Sequence, residues 1–418
     1  MGTKIFENRM TIELPEKISS ENADSFKEEL LKTDIPQGIK EVVFNGINLK
    51  YISSMGFRCL LSFAKEHPEI SIIVDELSPE VYEVFSLTGF TEMFNVKKRL
   101  SYIDLTNCEC LGEGMYGDVY RINNEQILKV FIGENSRELL EEHQRNVRAA
   151  FMKGIPTIMP FSVVKTDRGY GQVFELLNTD TIARAIHQNK DKREYYSRKI
   201  AELSLLLAST HFEEGQLENR NDMLREELLD SNDFLEKADI DYLLTCIAAV
   251  PDRDTAVHGD FHAKNIMLLE DKPILIDMDD FSAGHPLWDV ACIYRIYQCF
   301  VHLDLNTAKD IFSLPDGVAY PDFYEEKIQL DFEESQALWD QFLKIYFADY
   351  TENEVEQFME VTEFYSDFMV IRFLLDQCRL FASYPEKLAV KKKLIGDILT
   401  RMRKHDIKRL RDIIECWR

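Results

Sequence analysis

The sequence lacks any apolar segment long enough to cross a membrane, since a spanning helix needs roughly 20 consecutive apolar residues. Its first residues, MGTKIFENRMTIELPEK, contain no hydrophobic stretch of the kind found in signal peptides. The eight cysteines include no CxxC pair, which argues against a zinc or disulfide framework and favours reduced thiols. We therefore expect a cytoplasmic protein with no membrane-spanning segment.

Positive charge is also scarce. The 418-residue chain has 49 Lys and Arg against 74 Asp and Glu, a formal net charge of -25. Binding to nucleic acid or to an anionic membrane depends on basic surface, so neither kind of partner is expected. With 45% hydrophobic and 29% charged residues the composition is that of a globular protein, and the length predicts more than one domain.

Residues 1–100 alternate between strand-like and helix-like segments and form the first predicted domain. The predicted strands are residues 4–14, EVVFNG and SIIVDE. The predicted helices are SSENADSFKEELLK, SMGFRCLLSFAKEH and SPEVYEVFSLTG. Strands that alternate with helices in this way predict an α/β layer with an open sheet.

The pattern changes near residue 100. Residues 101–178 are predicted to be rich in β-strands, and residues 179–418 are predicted to be mainly helical. The helical part is interrupted by HGDFHAKNIMLLEDKPILIDMDD, which has an unusual density of His, Asp and Asn. No internal repeat or low-complexity linker separates these segments.

A glycine-rich turn lies in the β-rich part, where Gly112, Gly114 and Gly117 have G-x-G-x-x-G spacing and Val119 follows. Glycine lets the backbone approach a phosphate group closely. A dinucleotide-binding fold needs a helix after this turn, whereas DVYRINNEQILKVF predicts strand, turn and strand. The second strand carries Lys129, placed either to reach nucleotide phosphates or as a surface lysine on an edge strand.

The segment rich in His, Asp and Asn predicts a second group of polar side chains that lie close together in space. NIML after Asn265 and PILI before Asp277 are two short strands, so the two residues are expected at one end of a hairpin. Their oxygen atoms are hard ligands that suit Mg²⁺ carrying nucleotide phosphates. Asp260 precedes them and would be free to orient or deprotonate a hydroxyl group.

The same segment has the residue types of two other metal sites. His258, Asp260 and His262 occupy alternate positions, and on a strand such residues share a face and could bind a transition metal. A calcium loop over DMDDFSAG is excluded, because its acids do not have EF-hand spacing. Only phosphoryl transfer also explains the glycine-rich turn and Lys129.

HGDFHAKN, followed by IDMDDFSAGHPLWDVA, resembles the catalytic segment of the aminoglycoside phosphotransferase and choline kinase family. The resemblance implies an α+β bilobal protein-kinase-like fold, with a β-rich N-lobe over residues 101–178 and a helical C-lobe over residues 179–418. It implies that Asp260 is the catalytic base and that Asn265 and Asp277 bind Mg²⁺ as part of the catalytic set. It also implies that Lys129 binds the phosphates of ATP.

The same resemblance implies a hinge beside adenine in FELL, which contains Glu175 and Leu177. Asp289 would orient the catalytic loop. Kinase folds pair the strand lysine with a glutamate of the next helix, and Glu142 is chosen over its neighbours Glu138 and Glu141.

The other polar side chains of the dense segment are expected to support the site without binding a ligand. His258 is expected to brace the catalytic loop. The remaining residues are assigned to scaffold or surface, and they are His262, Asp271, Asp279 and Asp280.

YISSMGFRCLL and SLTGFTEMFNV resemble a STAS domain, the fold of bacterial anti-anti-sigma factors. The family carries Asp-Ser-Ser-Gly or Asp-Ser-Thr-Gly at this point, and the second hydroxyl is phosphorylated. Here the matching residues are Ser53, Ser54, Met55 and Gly56, so Met55 replaces the phosphorylated residue. Ser53 and Ser54 are alternatively the N-cap of a helix. The resemblance implies a protein partner or self-association through this domain.

The expected function is the transfer of the γ-phosphoryl group of ATP to a hydroxyl of a small molecule, with Mg²⁺ as cofactor. The acids in DFLEKADIDY and DFEES could suit a cationic acceptor, or they could be ordinary acidic surface. An alternative function is a regulatory protein kinase or a nucleotide-sensing module in an anti-sigma or stress pathway.

Overall fold

The computed structural model describes residues 2–6, 8–114, 117–132, 136–315 and 317–417. Met115 and Tyr116 of the glycine-rich turn therefore lie outside the described residues. The chain divides into two units, of which the first comprises Met1–Thr106 and Val163–Gly169 and the second Asn107–Ser162 and Tyr170–Arg418.

The first unit alternates strands and helices. Its strands are β1 (Thr3–Phe6), β2 (Arg9–Glu13), β3 (Lys17–Ile18), β4 (Glu41–Asn45), β5 (Tyr51–Ile52), β6 (Ser71–Leu77) and β7 (Asn95–Lys98). Its helices are α1 (Ala23–Leu31), α2 (Ser54–Glu66) and α3 (Pro79–Leu87).

Five of these strands form one sheet in the order β1-β2-β4-β6-β7. The pairs from β2 to β7 are parallel, as strand-helix alternation predicts, and β1 adds an antiparallel edge. The predicted single strand over residues 4–14 is wrong, because the chain reverses and Phe6 pairs with Arg9. The α/β class predicted for this part of the chain is confirmed.

Helices α2 and α3 begin where their capping residues predict. The Ser53 hydroxyl accepts a hydrogen bond from the Gly56 amide at 3.3 Å, and Ser78 accepts one from Val81 at 3.4 Å. The N-cap interpretation of Ser53 is therefore confirmed. Ser54 is the first residue of α2 and is exposed to solvent.

From residue 107 onward the chain starts with β-strands and continues mainly as helix. The strands are β8 (Glu109–Glu113), β9 (Gly117–Arg121), β10 (Gln126–Phe131), β11 (Ser162–Thr166), β12 (Gly169–Glu175), β13 (Ala256–Val257), β14 (Ile266–Leu269), β15 (Lys272–Leu275) and β16 (Ser282–Ala283).

The helices begin with α4 after the first three strands of this part. They are α4 (Arg137–Met152), α5 (Ile182–Gln188), α6 (Arg193–Ser209), α7 (Arg220–Leu229), α8 (Lys237–Ala248), α9 (Leu287–Tyr294), α10 (Leu305–Phe312), α11 (Tyr320–Ile328), α12 (Phe332–Tyr346), α13 (Glu352–Leu380), α14 (Pro385–Met402) and α15 (Ile407–Glu415). None of the helices in the described ranges is both long enough and apolar enough to serve as a membrane span.

Strands β8, β9, β10 and β12 are antiparallel neighbours, and β9 and β10 form the hairpin that the sequence predicts after the glycine-rich turn. Lys129 pairs in register with Val119 in this hairpin. The helical part packs around one apolar core in which Trp288 and Ile293 of α9 and Ile371 and Leu374 of α13 are fully buried. The predicted order of a β-rich part followed by a helical part is confirmed.

The core of the first unit yields a stability prediction. Phe63 is fully buried and its ring lies 5.3 Å from that of Phe44, so Phe63→Ala should destabilise this unit by about 3–5 kcal/mol. Leu87→Ala is the matched control, because that side chain is 80% exposed. Hydrogen exchange measured by mass spectrometry on peptides from β4 and β6 should accelerate only in the first variant. Equal protection in both variants would contradict the packing described here.

Candidate active site

A two-stranded hairpin brings the ends of the dense segment together. β14 and β15 pair from Ile266 opposite Leu275, and the Ile276 amide donates to the Asn265 carbonyl at 3.0 Å. Asn265 and Asp277 therefore lie at the same end of the hairpin, which is the placement that the two short apolar strands predict. Asp277 has a left-handed backbone, with φ of 60°.

The loop before this hairpin is held by the buried carboxylate of Asp289 on α9. One oxygen accepts the His258 amide at 2.9 Å, and the other accepts the Gly259 amide at 2.8 Å. Burial raises the pKa of Asp289, and these hydrogen bonds oppose the increase. Gly259 has φ of 85°, and a Cβ atom there would lie 2.6 Å from the Cβ of Asp280, so this position requires glycine.

His258 uses both ring nitrogens inside the protein. Nε2 lies 3.1 Å from the Ile276 carbonyl, to which it donates, and Nδ1 accepts from the Asp260 amide at 3.3 Å. The residue is fully buried. His258 therefore braces the loop before β14 and has no free nitrogen for a transition metal, so the alternative site with Asp260 and His262 is not supported.

Both oxygens of Asp260 are engaged although its side chain is 43% exposed. Oδ2 accepts from the Asn265 amide at 3.2 Å and lies 3.3 Å from His262 Nε2. Oδ1 accepts from Arg295 at 3.4 Å and from the Cys292 thiol at 3.5 Å. Since the Asn265 nitrogen is committed to Asp260, its amide oxygen is the atom suited to a metal ion.

The charge of Asp260 is stabilised by its surroundings. Burial alone would raise the pKa of this carboxyl group, but His262, Arg295 and His258 hold it well below its usual range. Asp260 is therefore ionised at neutral pH. The contact with Arg295 comes from the π-helical turn Arg295–Cys299 that follows α9, and no sequence motif marks this arginine.

Lys129 links the sheet to the residues after β15. Its ammonium group contacts Asp277 Oδ1 and Asp279 Oδ2, each at 2.5 Å, and lies 4.9 Å from the centre of the Phe131 ring. Burial opposes the charge of Lys129, but Asp279 and Asp277 hold its pKa above the usual value. The lysine expected at nucleotide phosphates is therefore adjacent to the aspartate expected at the metal.

Asp279 differs from its assignment to scaffold or surface, because it contacts Lys129 directly. Burial raises the pKa of Asp279 to about 6, and the nearby charge of Asp277 acts in the same direction. Two carboxylates that share one ammonium group retain unneutralised negative charge. Together with the Asn265 amide oxygen they are hard oxygen ligands of the kind that Mg²⁺ prefers, so the residues present fit this ion.

The expected pair of Lys129 with Glu142 is not formed within the described residues. Glu141 pairs with Arg137 at 2.6 Å, and α4 instead presents His143, whose ring centre lies 6.2 Å from that of Phe131. Burial lowers the pKa of His143 to about 4. The positive charge of Lys129 also lowers this pKa, whereas the negative charge of Asp280 raises it.

Asp280 anchors the segment after β15 to two helices. Its carboxylate contacts Arg372 of α13 at 2.8 Å and Arg220 of α7 at 3.4 Å. Burial would raise the pKa of Asp280, but the two guanidinium groups hold it well below its usual range. Asp271 lies at the hairpin turn and accepts a hydrogen bond from the Tyr195 hydroxyl. Both residues thus act in the scaffold or at the surface.

The glycine-rich turn lies at the beginning of the β-hairpin. Gly112 and Gly114 are exposed, and the Gly114 amide donates to the Gly117 carbonyl at 2.9 Å. A Cβ atom at Gly117 would lie 2.7 Å from the Val130 carbonyl, so only glycine fits. Val119 is half-buried beside Lys129 on the neighbouring strand.

The predicted hinge lies at the end of β12. Glu175 is exposed and pairs in register with Gln126, and the following amide of Leu176 donates to the Glu125 carbonyl at 2.7 Å. Leu177 comes next and is half-buried. Glu175 and Leu177 thus stay candidates for contacts to a nucleotide base.

A separate group, His187, Asp331 and Glu334, has ligand atoms within 4.8 Å of one another. The oxygens of Glu334 already accept from Arg193 at 2.5 Å, from the Asp331 amide at 3.0 Å and from His187 at 2.9 Å. This cluster therefore connects α12 to α5 and α6. The positive charge of Arg193 disfavours binding of a metal ion there.

Two family models match the chain. Residues 108–301 match the phosphotransferase enzyme family, and residues 2–102 match the STAS domain. The chain thus carries a segment that matches the phosphotransferase enzyme family after an N-terminal STAS domain. The two resemblances inferred from the sequence motifs are thereby confirmed, and the loop, hairpin and metal-ligand candidates described above all lie within the phosphotransferase match.

The STAS domain also has a curated relative. BtrV of Bordetella bronchiseptica, named as an anti-sigma factor antagonist, is 36% identical over 81 residues, which cover 19% of this chain and 69% of BtrV.

Several solved structures resemble the chain distantly. Aminoglycoside phosphotransferase APH(2'')-Ib with bound ADP is 15% identical, covers 76% of this chain and 99% of its own, and has a TM-score of 0.42. A choline/ethanolamine kinase family protein from Mesorhizobium loti is 13% identical, with coverages of 74% and 92% and a TM-score of 0.44. Amicoumacin kinase is 12% identical, with coverages of 79% and 96% and a TM-score of 0.45. Likeness at this level does not indicate an acceptor.

The loop at His258 and Gly259 depends on Asp289, so Asp289→Asn should destabilise the second unit. An amide offers one acceptor oxygen where the carboxylate offers two, and leaving a buried backbone N–H unpaired costs about 1–3 kcal/mol. Asp271→Asn, at an exposed turn of the same unit, is the control. Thermal unfolding should shift to lower temperature in the first variant only, and a melting temperature equal to that of the control would contradict this assignment.

Proposed function

We propose that the second unit transfers the γ-phosphoryl group of ATP to a hydroxyl group of a small molecule, with Mg²⁺ as cofactor. The contact of Lys129 with Asp277 and Asp279 is the observation that carries this proposal. It brings a lysine from the glycine-rich hairpin to the segment that also holds Asn265, whose amide contacts Asp260. Candidate groups for phosphate, metal and acceptor therefore adjoin one another in the order that phosphoryl transfer requires.

The nucleotide would bind along the sheet. The backbone around Gly112, Gly114 and Gly117 would lie over the phosphates, with Val119 beside the nucleotide. Lys129 would exchange its two carboxylate partners for phosphate oxygens. Glu175 and Leu177, at the end of β12, would contact the adenine base. The register that sets Val119 opposite Lys129 supports the placement of these two residues on one nucleotide.

Asn265 and Asp277 would hold Mg²⁺, and Asp279 is close enough to contribute an oxygen or to accept from water around the ion. Bound there, Mg²⁺ would supply positive charge that neutralises the charge developing on the phosphate group. The negative charge left at Asp277 and Asp279 when Lys129 turns to the phosphates supports this exchange.

Asp260 would position the acceptor hydroxyl. Its pKa is held well below the usual range, so it is a weak base that chiefly orients the hydroxyl and takes the proton late. This suits a loose transition state, in which alignment and charge neutralisation supply most of the rate. Asn265 and Arg295 fix the carboxylate from both sides.

The compartment and partners follow from the same features. All eight cysteines lie within the described ranges and none forms a disulfide there, which fits a reducing cytoplasm. The STAS domain would bind a protein partner or a second copy of the chain. The match to BtrV supports that part of the proposal.

Replacement of Asp260 tests the reaction. In Asp260→Ala, ATP turnover with a panel of alcohol-bearing metabolites and antibiotics should fall by about 100-fold to 10,000-fold, because the hydroxyl loses its orienting base. Binding of Mg·ATP, measured by calorimetry, should change little, and chelation of Mg²⁺ should abolish turnover. Asp271→Ala is the control at an exposed site of the same hairpin. Turnover that is unchanged in Asp260→Ala would refute the assignment.

A regulatory kinase is the second candidate, and the exposure of Ser54 favours it. Ser54 is the first residue of α2 in the STAS domain, and Met55 next to it has no hydroxyl group. A phosphate at a helix N-terminus is electrostatically favourable. After incubation with Mg·ATP, mass spectrometry should find phosphate on Ser54 if this candidate is correct. Its absence, with phosphorylation of a small alcohol, would favour the first function.

A further inference from the structure

We propose that Arg372 of α13 is a positioning residue for the candidate metal site, because it holds Asp280 and thereby sets the direction of Asp277 and Asp279. The inference rests on the proposed function, in which Mg²⁺ binds at these carboxylates. Arg372 lies outside residues 108–301, which match the phosphotransferase enzyme family, so the motifs of that family do not point to it.

The segment after β15 contains side chains that are fixed in the protein and side chains that are open to a ligand. Met278 and Phe281 are buried in the apolar core of the helical part. Asp280 lies between them and is bound by arginines. The side chains of Asp277 and Asp279 keep 45% and 28% of their surface exposed. Anchoring of Met278 and Asp280 on either side of Asp279 therefore determines where the open carboxylates point.

Arg372 makes the closer of the two ion pairs to Asp280. Its Nη2 atom lies 2.8 Å from Oδ2 of Asp280, whereas Nη2 of Arg220 lies 3.4 Å from the same oxygen. The Nε atom of Arg372 donates to Oε2 of Glu227 on α7 at 2.7 Å. Two edges of one planar guanidinium group are thus bound to carboxylates, so Glu227 orients Arg372 toward Asp280.

Loss of Arg372 would leave Asp280 with the more distant arginine. The carboxylate of Asp280 is 31% exposed, and a partly buried charge that loses its partner turns toward water. Because Asp279 is the preceding residue, movement of Asp280 would displace the Asp279 carboxylate as well. Removal of groups that orient metal ligands typically lowers metal affinity by about 10-fold to 100-fold.

Arg220 also contacts Asp280, but its replacement would disturb more of the site. A Cβ atom at Gly259 would lie 3.2 Å from Cζ of Arg220, and one at Gly284 would lie 2.8 Å from its Cβ. Arg220 is only 1% exposed, so a variant would also leave a cavity in the core. The side chain of Arg372 is 20% exposed and reaches Asp280 from another helix, so its replacement isolates the effect on the metal segment.

Arg379 provides a matched control on the same helix, two turns after Arg372. It contacts Asp376 at 2.7 Å, the Ser231 hydroxyl at 2.8 Å and the Glu227 carbonyl at 3.2 Å. Like Arg372 it therefore connects α13 to α7, but none of these contacts involves the segment after β15. A role of Arg372 in attaching α13 alone would be shared by Arg379.

Calorimetric titration of the full chain with AMP-PNP, at saturating Mg²⁺ and in EDTA, tests the role. Mg²⁺ should raise the affinity of the wild type for AMP-PNP. This enhancement should fall about tenfold or more in Arg372→Gln, because the carboxylates no longer point toward the ion. The affinity in EDTA should stay at the wild-type value, which also shows that the variant folds. Arg372→Lys keeps a positive charge at Asp280 and should recover part of the enhancement, and Arg379→Gln should keep all of it.

Asp280→Asn removes the other partner of the ion pair and should lower the enhancement as well, which decides the question where Arg372→Gln does not fold. Equal enhancement in the wild type and in these variants would overturn the positioning role and leave the proposed function intact. The same loss in Arg379→Gln, or a loss of affinity in EDTA with a lower melting temperature, would also overturn it, because Arg372 would then serve stability alone. A wild type that binds AMP-PNP equally with and without Mg²⁺ would refute the metal site of the proposed function, and this role with it.

Discussion

The buried carboxylate of Asp289 is the constraint on which the site depends. A negative charge in the core is costly unless its oxygens are satisfied, and here two successive backbone amides, those of His258 and Gly259, satisfy both. Only a glycine can adopt the backbone conformation that this geometry needs beside Asp280. The direction of the next residue, Asp260, is thereby constrained by contacts within the fold.

Neighbouring acids in the segment after β15 have separate tasks. Asp277 and Asp279 face the sheet lysine, whereas Asp280 faces two arginines in the helical core. Two arginines, Arg220 and Arg372, neutralise the single carboxylate of Asp280. By contrast, Asp277 and Asp279 share one lysine, Lys129. The carboxylates of Asp277 and Asp279, which Lys129 neutralises in part, thus lie where a metal and phosphates would bind.

The sequence predicted the parts of the fold that local chemistry determines. Helix starts followed serine caps, and the glycine-rich hairpin followed from a strand, a turn and a strand. Which residue of α4 faces the sheet could not be predicted from the sequence. Successive side chains point about 100° apart around a helix axis, and packing against the sheet sets how the helix is rotated about that axis. The side chain of α4 that lies against Phe131 of β10 is His143. Asp279 was missed because the left-handed backbone of Asp277 breaks strand alternation after β15.

The π-helical turn Arg295–Cys299 connects two sides of the site. A wider turn leaves carbonyl groups without their usual helical partners, and here Tyr324 donates to the Ile296 carbonyl at 2.9 Å and Tyr320 to that of Phe300 at 2.5 Å. Both tyrosines belong to α11. The residue that contacts Asp260 and the helix α11 are thus tied to one irregular turn. A one-residue deletion that regularised the turn would therefore disturb the contact of Arg295 with Asp260 and the attachment of α11 together.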